Sequence, residues 1–284
     1  MTDQRPLEKY YRQPAVYIRL PSAGKYYDGS VFTPTETGEI PVMPMNAKDE
    51  LAFKTPDAMM NGQATVDVIK SCIPNFVDPW RMVNYDTDAV LLAIRIATYG
   101  ETMNIKYNLP VTGEELEHTV NLPALLEDLA KVDIKDEAVT SKGFKILMEP
   151  LIYKTLTKVQ IANYESQKMY SALDNTALAD EDRSKVFRDT FDKINKINFS
   201  LLVDGIKMIT TPDGVEVSDR KQIIDFCNNT DAKTVEEIQT LLGGLRNQTQ
   251  IPPLTMKSTE EQIKKGVPAT YTVPLTFDNS NFFV

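Results

Sequence analysis

The 284-residue chain has only two cysteines, one histidine and one tryptophan. Cys72 and Cys227 cannot form a disulfide framework. Both fall in apolar helical sequence, the usual setting of a buried reduced thiol. Tetrahedral zinc needs about four nitrogen or sulfur ligands, and His118 with two distant cysteines does not supply them. No metal and no cofactor is expected. Positive charge is also in deficit: 31 Lys and Arg against 40 Asp and Glu leave a net charge of −9. Nucleic acid and anionic membranes are bound through basic surfaces, so neither is an expected partner. No apolar run approaches the roughly 20 residues that cross a bilayer. The N-terminal MTDQRPLEKYYRQ is polar, unlike a secretory leader. A reducing cytoplasm is the expected place of synthesis.

Catalytic signatures are missing too. No nucleophile–base pair or metal-ligand spacing stands out. The stretch PSAGK (Pro21 to Lys25) has neither the glycine pattern of a phosphate loop nor a Ser or Thr after the lysine. The acid pairs Asp86/Asp88 and Glu114/Glu115 fall at a helix start and in a turn, where carboxylates suit the helix dipole or the solvent without any catalytic role. No catalytic residue is assigned, and an enzyme is not expected.

What is present is concentrated between Gly38 and Pro110. Ile40, Val42 and Met45 form a strand-like run, after which Asn46 can cap a short helix, AKDELAF. Thr55 to Asp57 reads as a second helix start with an early proline. Ala64, Val68 and Cys72 then recur every four residues, one face of a helix that Pro74 stops. Asp78 to Trp80 repeats the cap-then-proline arrangement. Asp86 or Thr87 opens DAVLLAIRIATYG, which is apolar almost all round and therefore expected at the centre of the fold, with Gly100 as its stop. TMNIKYNL alternates as a strand, and LEHTVNL reads as its return.

These patterns make the protein α+β. Residues 1–15 read as a loose arm, and 16–130 as a mixed domain of short strands around a buried helix. Residues 131–250 read as a mainly helical region, and 251–284 as an extended tail with a strand near 270–277. In the helical region, FKILMEPLIYKTLTKVQIANYESQKMYSAL gives one long pattern with a start or kink at Pro150. KVFRDTFDKINKINFSLLVDGIKMI gives a second, with Val186, Phe187, Phe191, Ile194 and Ile197 towards its partner. About ten residues join the two, which suggests an antiparallel hairpin. Ile223, Ile224 and Cys227 are expected inward on a later helix. Thr234 and Glu237 have capping-box spacing, and Gly243 and Gly244 are expected to end the helix they begin.

An ordered set of motifs adds to this reading: LPSAGKYY, GEIPVMPMNAKDE, TPDAMMNGQATVDVIKSCIPNFVDPWRM and DTDAVLLAIRIATYG. In this order they resemble the baseplate hub assembly proteins of T4-like contractile-tailed bacteriophages, and the resemblance returns at the final two phenylalanines. It implies a phage protein without enzymatic activity, made in the bacterial host. Such a protein helps build the central hub of the baseplate by binding hub subunits or the tape-measure protein; the alternative is a permanent subunit of the virion. Many such proteins carry a Cys-x-x-Cys pair at the tip of the hairpin formed here around Pro110 and Gly113, suggesting a small zinc knuckle. This chain has no cysteine there, so that metal is expected to be absent. The candidate partner contacts are Tyr10, Tyr11 and Tyr17 near the start, since exposed aromatics anchor interfaces, and Phe282 and Phe283 at the end. The terminal pair has two readings: rings tucked against the chain's own sheet, or a tail that docks on another tail protein.

Overall fold

Short strands and a capped helix open the fold. β1 (Val16–Ile18) pairs antiparallel with β2 (Ile40–Val42), with Val16 opposite Val42. Asn46 then caps α1 (Ala47–Phe53). Its side chain accepts from the Lys48 and Asp49 amides, and Asp49 reaches back to the Asn46 amide, a reciprocal box that satisfies donors left open at a helix start. The computed structural model describes residues 5–55, 62–175 and 180–275. The helix start read at Thr55 to Asp57 runs into the stretch outside the described residues.

α2 (Gln63–Cys72) buries Ala64, Val66, Val68, Ile69 and Cys72, as the four-residue spacing predicts. It begins at Gly62, whose φ of 75° suits glycine. A Cβ there would also meet the Thr157 side chain at 3.0 Å, so glycine is what lets this end of the helix sit against the later hairpin. A turn of 3₁₀ helix over Pro79–Arg81 leads into α3 (Asn84–Tyr99).

α3 is the axis of the first half of the molecule. Ala89, Val90, Leu92, Ala93 and Ile94 are each fully buried. Around them pack β1, β2, α2 and α4 (Leu122–Ala130), the last through Leu122, Leu125 and Leu129. The helix starts two residues earlier than its carboxylates suggest. Val83, its capping residue, is held instead by a bridge to Ile152. Asp86, Thr87 and Arg95 are the polar groups buried on this helix. Arg95 is buried with its guanidinium 4.5 Å from the centre of the Tyr99 ring, and burial lowers its pKa.

β3 (Thr102–Asn108) and β4 (Glu115–Asn121) form the expected hairpin, in register from Thr102 opposite Asn121 to Asn108 opposite Glu115. Met103, Ile105 and Tyr107 turn half inward; Asn104, Lys106 and Asn108 face out.

The second half has a core of its own. β5 (Glu137–Val139), β6 (Lys145–Met148), β7 (Ile206–Thr210) and β8 (Glu216–Val217) make an antiparallel four-stranded sheet in that order. α7 (Arg220–Asn229) and α8 (Ala232–Gln248) share a core with it. This sheet corrects the helical reading of two segments. Lys145–Met148 is strand, with Ile146 and Met148 buried, and helix resumes only at Tyr153. Ile206–Thr210 is likewise strand, because the preceding helix ends at Asp204 and the chain turns at Gly205. A Cβ on Gly205 would meet Leu242 at 2.8 Å, so that turn is packed directly under α8.

Other local expectations shift for packing reasons. α8 starts at Ala232 because Asp231, not Thr234, caps it, and Glu237 accepts from Ser141 instead. It continues through Gly243 and Gly244 because Leu242 and Leu245 are buried on either side of them. Ile224 lies on the exposed face of α7, while Ile223 and Cys227 are buried.

Between the two cores rises a helical hairpin, α5 (Tyr153–Asn175) and α6 (Asp180–Asp204). The chain then returns to the first half. β9 (Leu254–Lys257), a short helix α9 (Glu260–Lys264) and β10 (Thr270–Val273) place Val267, Tyr271 and Val273 in a third cluster with Leu109. The Tyr107 and Tyr271 hydroxyls lie 3.0 Å apart.

Candidate functional site

The acid pair on α3 is the first place where chemistry could reside. Asp86 is fully buried. It accepts from the Ser22 amide at 2.9 Å, from the Ser22 hydroxyl and from the Tyr27 hydroxyl at 2.7 Å. Burial nonetheless pushes its pKa up to about 6. Asp88 is raised to about 7 by burial and has the Asn84 amide at 3.5 Å. Two residues apart on a helix, the two carboxylates point to different neighbours. Asp86 meets the loop over Leu20 to Tyr27, and Asp88 lies near Tyr153 of α5. Neither lines a described cavity. The other acid pair is exposed at the hairpin tip, where Glu115 lies 3.4 Å from Lys106 and Glu114 lies 3.9 Å from Lys265.

Asp86 fixes the loop over Leu20 to Tyr27, and that loop spans the two halves. The loop that carries Ser22 and Tyr27 also carries Lys25 and Tyr26. These donate to Asp136, at 2.5 and 3.0 Å, just before β5 in the second half. Successive tyrosines thus bind opposite halves. The lead-in to α3 adds main-chain bonds: the Asn84 amide to the Leu151 carbonyl at 3.0 Å, and the Tyr153 amide to the Met82 carbonyl at 2.7 Å. The segment PSAGK is therefore a structural joint: its serine and lysine bind the side chains of Asp86 and Asp136. Sequence reading missed this because the partners are 64 and 111 residues away.

The N-terminal arm is held as well. The Arg12 guanidinium donates to Asp49 at 3.0 Å, and to the Pro44 and Ser71 carbonyls and the Ser71 hydroxyl at 2.7 Å each. This anchor fixes a stretch read as loose and leaves the neighbouring aromatics outside. Tyr10 is 74% exposed, and Tyr11 and Tyr17 are 62% exposed each. A fixed backbone presenting exposed aromatic rings loses little entropy on binding, the property of an interface anchor. Phe282 and Phe283 lie outside the described residues.

The hairpin presents a second apolar surface. Among the described residues, Ala162, Ser166 and Thr190 are buried along the hairpin, Val186, Ile194 and Ile197 of α6 are half-buried, and Thr190 contacts the Met169 sulfur at 3.9 Å. Lys193 and Glu165 close one flank at 2.5 Å. Phe187 and Phe191, expected inward, are more than half exposed instead. They sit one turn apart on α6, on one side of the helix. Tyr164 and Met169 on α5 are exposed too.

Among the described residues, no group of three or more His, Cys, Asp or Glu side chains could hold a metal ion. No helix among them is long and apolar enough to cross a membrane. Burial pushes the Cys72 thiol up to about 12 and also raises that of Cys227, so both are poor nucleophiles.

Comparison with known proteins gives one match. A family model described as T4 bacteriophage base plate protein covers residues 17–265. No curated protein and no solved structure matches the chain.

Proposed function

Because the chain belongs to the T4 bacteriophage base plate protein family, we propose that it is a non-enzymatic assembly factor for the central hub of the baseplate. It would bind hub subunits, or the tape-measure protein, in the infected cell before they are built into the tail. The observation that carries this reading is the family match, and the surface supports it. Tyr10, Tyr11 and Tyr17 stand on an anchored arm, and Phe187 and Phe191 on a projecting hairpin, all exposed. The first three are the proposed contacts at the N-terminal end. Phe282 and Phe283 are the candidates at the other end, with a place inside the molecule as their alternative. Binding of this kind uses rigid aromatic anchors and apolar stripes and needs no reaction centre.

Co-expression of the tagged chain with hub subunits and the tape-measure protein of the same phage, followed by affinity capture, tests the reading. A stoichiometric complex with one of them is expected, weakened by Tyr10→Ala and Tyr11→Ala. Capture of none of them would overturn it. The family description itself, a base plate protein, favours a second reading, a permanent subunit of the virion. Mass spectrometry of finished particles separates the two. An assembly factor is absent or substoichiometric, whereas a subunit is present in fixed ratio.

A further inference from the structure

The two large hydrophobic clusters have no residue in common among the described residues. What joins the halves at the loop over Leu20 to Tyr27 is polar. A single oxygen, Oδ2 of Asp136, accepts from both the Lys25 ammonium at 2.5 Å and the Tyr26 hydroxyl at 3.0 Å. The carboxylate is largely buried, but the Lys25 side chain is 60% exposed, so water competes for the pair from one side. Two features of the seam oppose its closure. The Tyr85 hydroxyl is buried beside Tyr26 and meets no partner in hydrogen-bonding geometry, which disfavours the closed arrangement. A cavity of about 90 Å³ lies between Asn84 of the first half, Leu151 and Leu156 at the foot of the hairpin, and Leu242 and Leu245 of the second half. Packing contacts are lost around such a void. Between separately packed cores, a polar contact of this kind leaves relative motion as the default.

We propose that the contact of Lys25 and Tyr26 with Asp136 is a releasable latch between the two halves. The pivot is the foot of the hairpin, which the bonds between Asn84 and Leu151 and between Tyr153 and Met82 pin to the first half. The Trp80 ring against that of Tyr153, 5.7 Å away, adds to the pin. α6 instead ends in the second core, through Leu202 and Val203. Release therefore takes the form of a small slide of α5 along α6, the shear by which packed helices move. Each half keeps its own core, the seam parts at the cavity, and the Tyr85 hydroxyl gains water. The latch is one ion pair and one hydrogen bond on a common oxygen, so a change at a single residue frees it. This proposal is independent of the assembly reading, because its test uses the isolated chain.

Spin labels on Lys48→Cys in α1 and Lys221→Cys in α7, both exposed positions, measure the distance between the halves of the full chain. Cys72 and Cys227 are buried and stay unlabelled. The parent should give one narrow distribution. Asp136→Ala should shift its mean by more than about 2 Å or add a second population. Lys25→Met/Tyr26→Phe, which leaves the carboxylate in place, should do the same, in case the first variant disturbs β5. Far-UV circular dichroism should stay at the parental value in both. Identical distributions in the parent and both variants would overturn the proposal, because the halves would then be held without the latch. Broadening together with a loss of helical signal would overturn it too, since the halves would then be unfolding instead of parting.

Discussion

α3 and α6 are both long helices, and they differ in almost everything else. Eleven of the sixteen residues of α3 are buried, on every side of the helix. Along the described part of α6 the exposed surface carries charges and two phenylalanines, Thr190 alone is buried between Lys185 and Ser200, and Val186, Ile194 and Ile197 are half-buried. One helix is held by its surroundings, and the other projects from them. A half-exposed aromatic ring on a projecting helix contributes less to folding than a fully buried leucine. The comparison separates residues that build the core of this protein from residues that stand at its surface.

The sharpest test of that separation is Leu92→Ala. Removing a fully buried side chain from a crowded site costs the transfer energy and leaves a cavity, so a loss of about 3 kcal/mol is expected in denaturant unfolding. A loss below about 1 kcal/mol would break the account of α3 as the axis.

The next effect concerns pH. The folded-state pKa of Asp86 is raised to about 6 from the ordinary carboxylate value near 4. A raised acid is bound more tightly to its proton in the folded state, so its contribution is greatest below about pH 4. It is lost as pH rises through about 6, and the change approaches about 3 kcal/mol. Asp88 acts with the same sign, up to about pH 7. Asp86→Asn should therefore flatten part of the decline in stability between pH 4 and 7, and Asp86→Asn/Asp88→Asn more of it. Urea midpoints across that range give the answer. An undiminished decline in the double variant would show that other groups cause it.

Arg12→Ala should cost about 2 kcal/mol in urea unfolding, because it leaves the buried Asp49 without its charged partner. It should also release the arm, so proteolysis after residues 5–12 should speed up. No change in cleavage would mean that the tyrosines are not presented on a fixed backbone.

The smallest stability effect belongs to Phe191→Ala, within about 0.5 kcal/mol of the parent, as for an exposed side chain away from the core. Its effect should appear instead in capture of the partner proposed above, if the hairpin takes part in binding. A stability loss as large as that of Leu92→Ala would erase the distinction between the two helices.

Much of the first half was legible because its signals are local. The Asn46 cap, the four-residue repeat of α2, the apolar α3 and the alternation of β3 are each read within a few turns of chain. The second half was less so. Lys145–Met148 and Ile206–Thr210 are four- and five-residue apolar runs beside long helices, and at that length strand and helix share one pattern. Their pairing, Ile146 opposite Ile209, joins residues more than sixty apart. Gly243 and Gly244 looked like a stop because local propensity disfavours glycine in a helix; burial of Leu242 and Leu245 overrides that preference. Of the site candidates, Tyr10, Tyr11 and Tyr17 are exposed, and nothing local announced the exposure of Phe187 and Phe191.

The sequence by itself determined the α+β class, the buried axis at α3, the hairpin of β3 and β4, and the family. Each rests on periodicity, composition or the order of motifs along the chain. Only the tertiary structure decided that the loop from Leu20 to Tyr27 joins two cores through Asp86 and Asp136, and that Arg12 fastens the arm. The physical reason is range. A helix face is fixed by residues three and four apart, whereas a buried carboxylate is satisfied by whichever donors the folded chain brings to it, however distant in sequence.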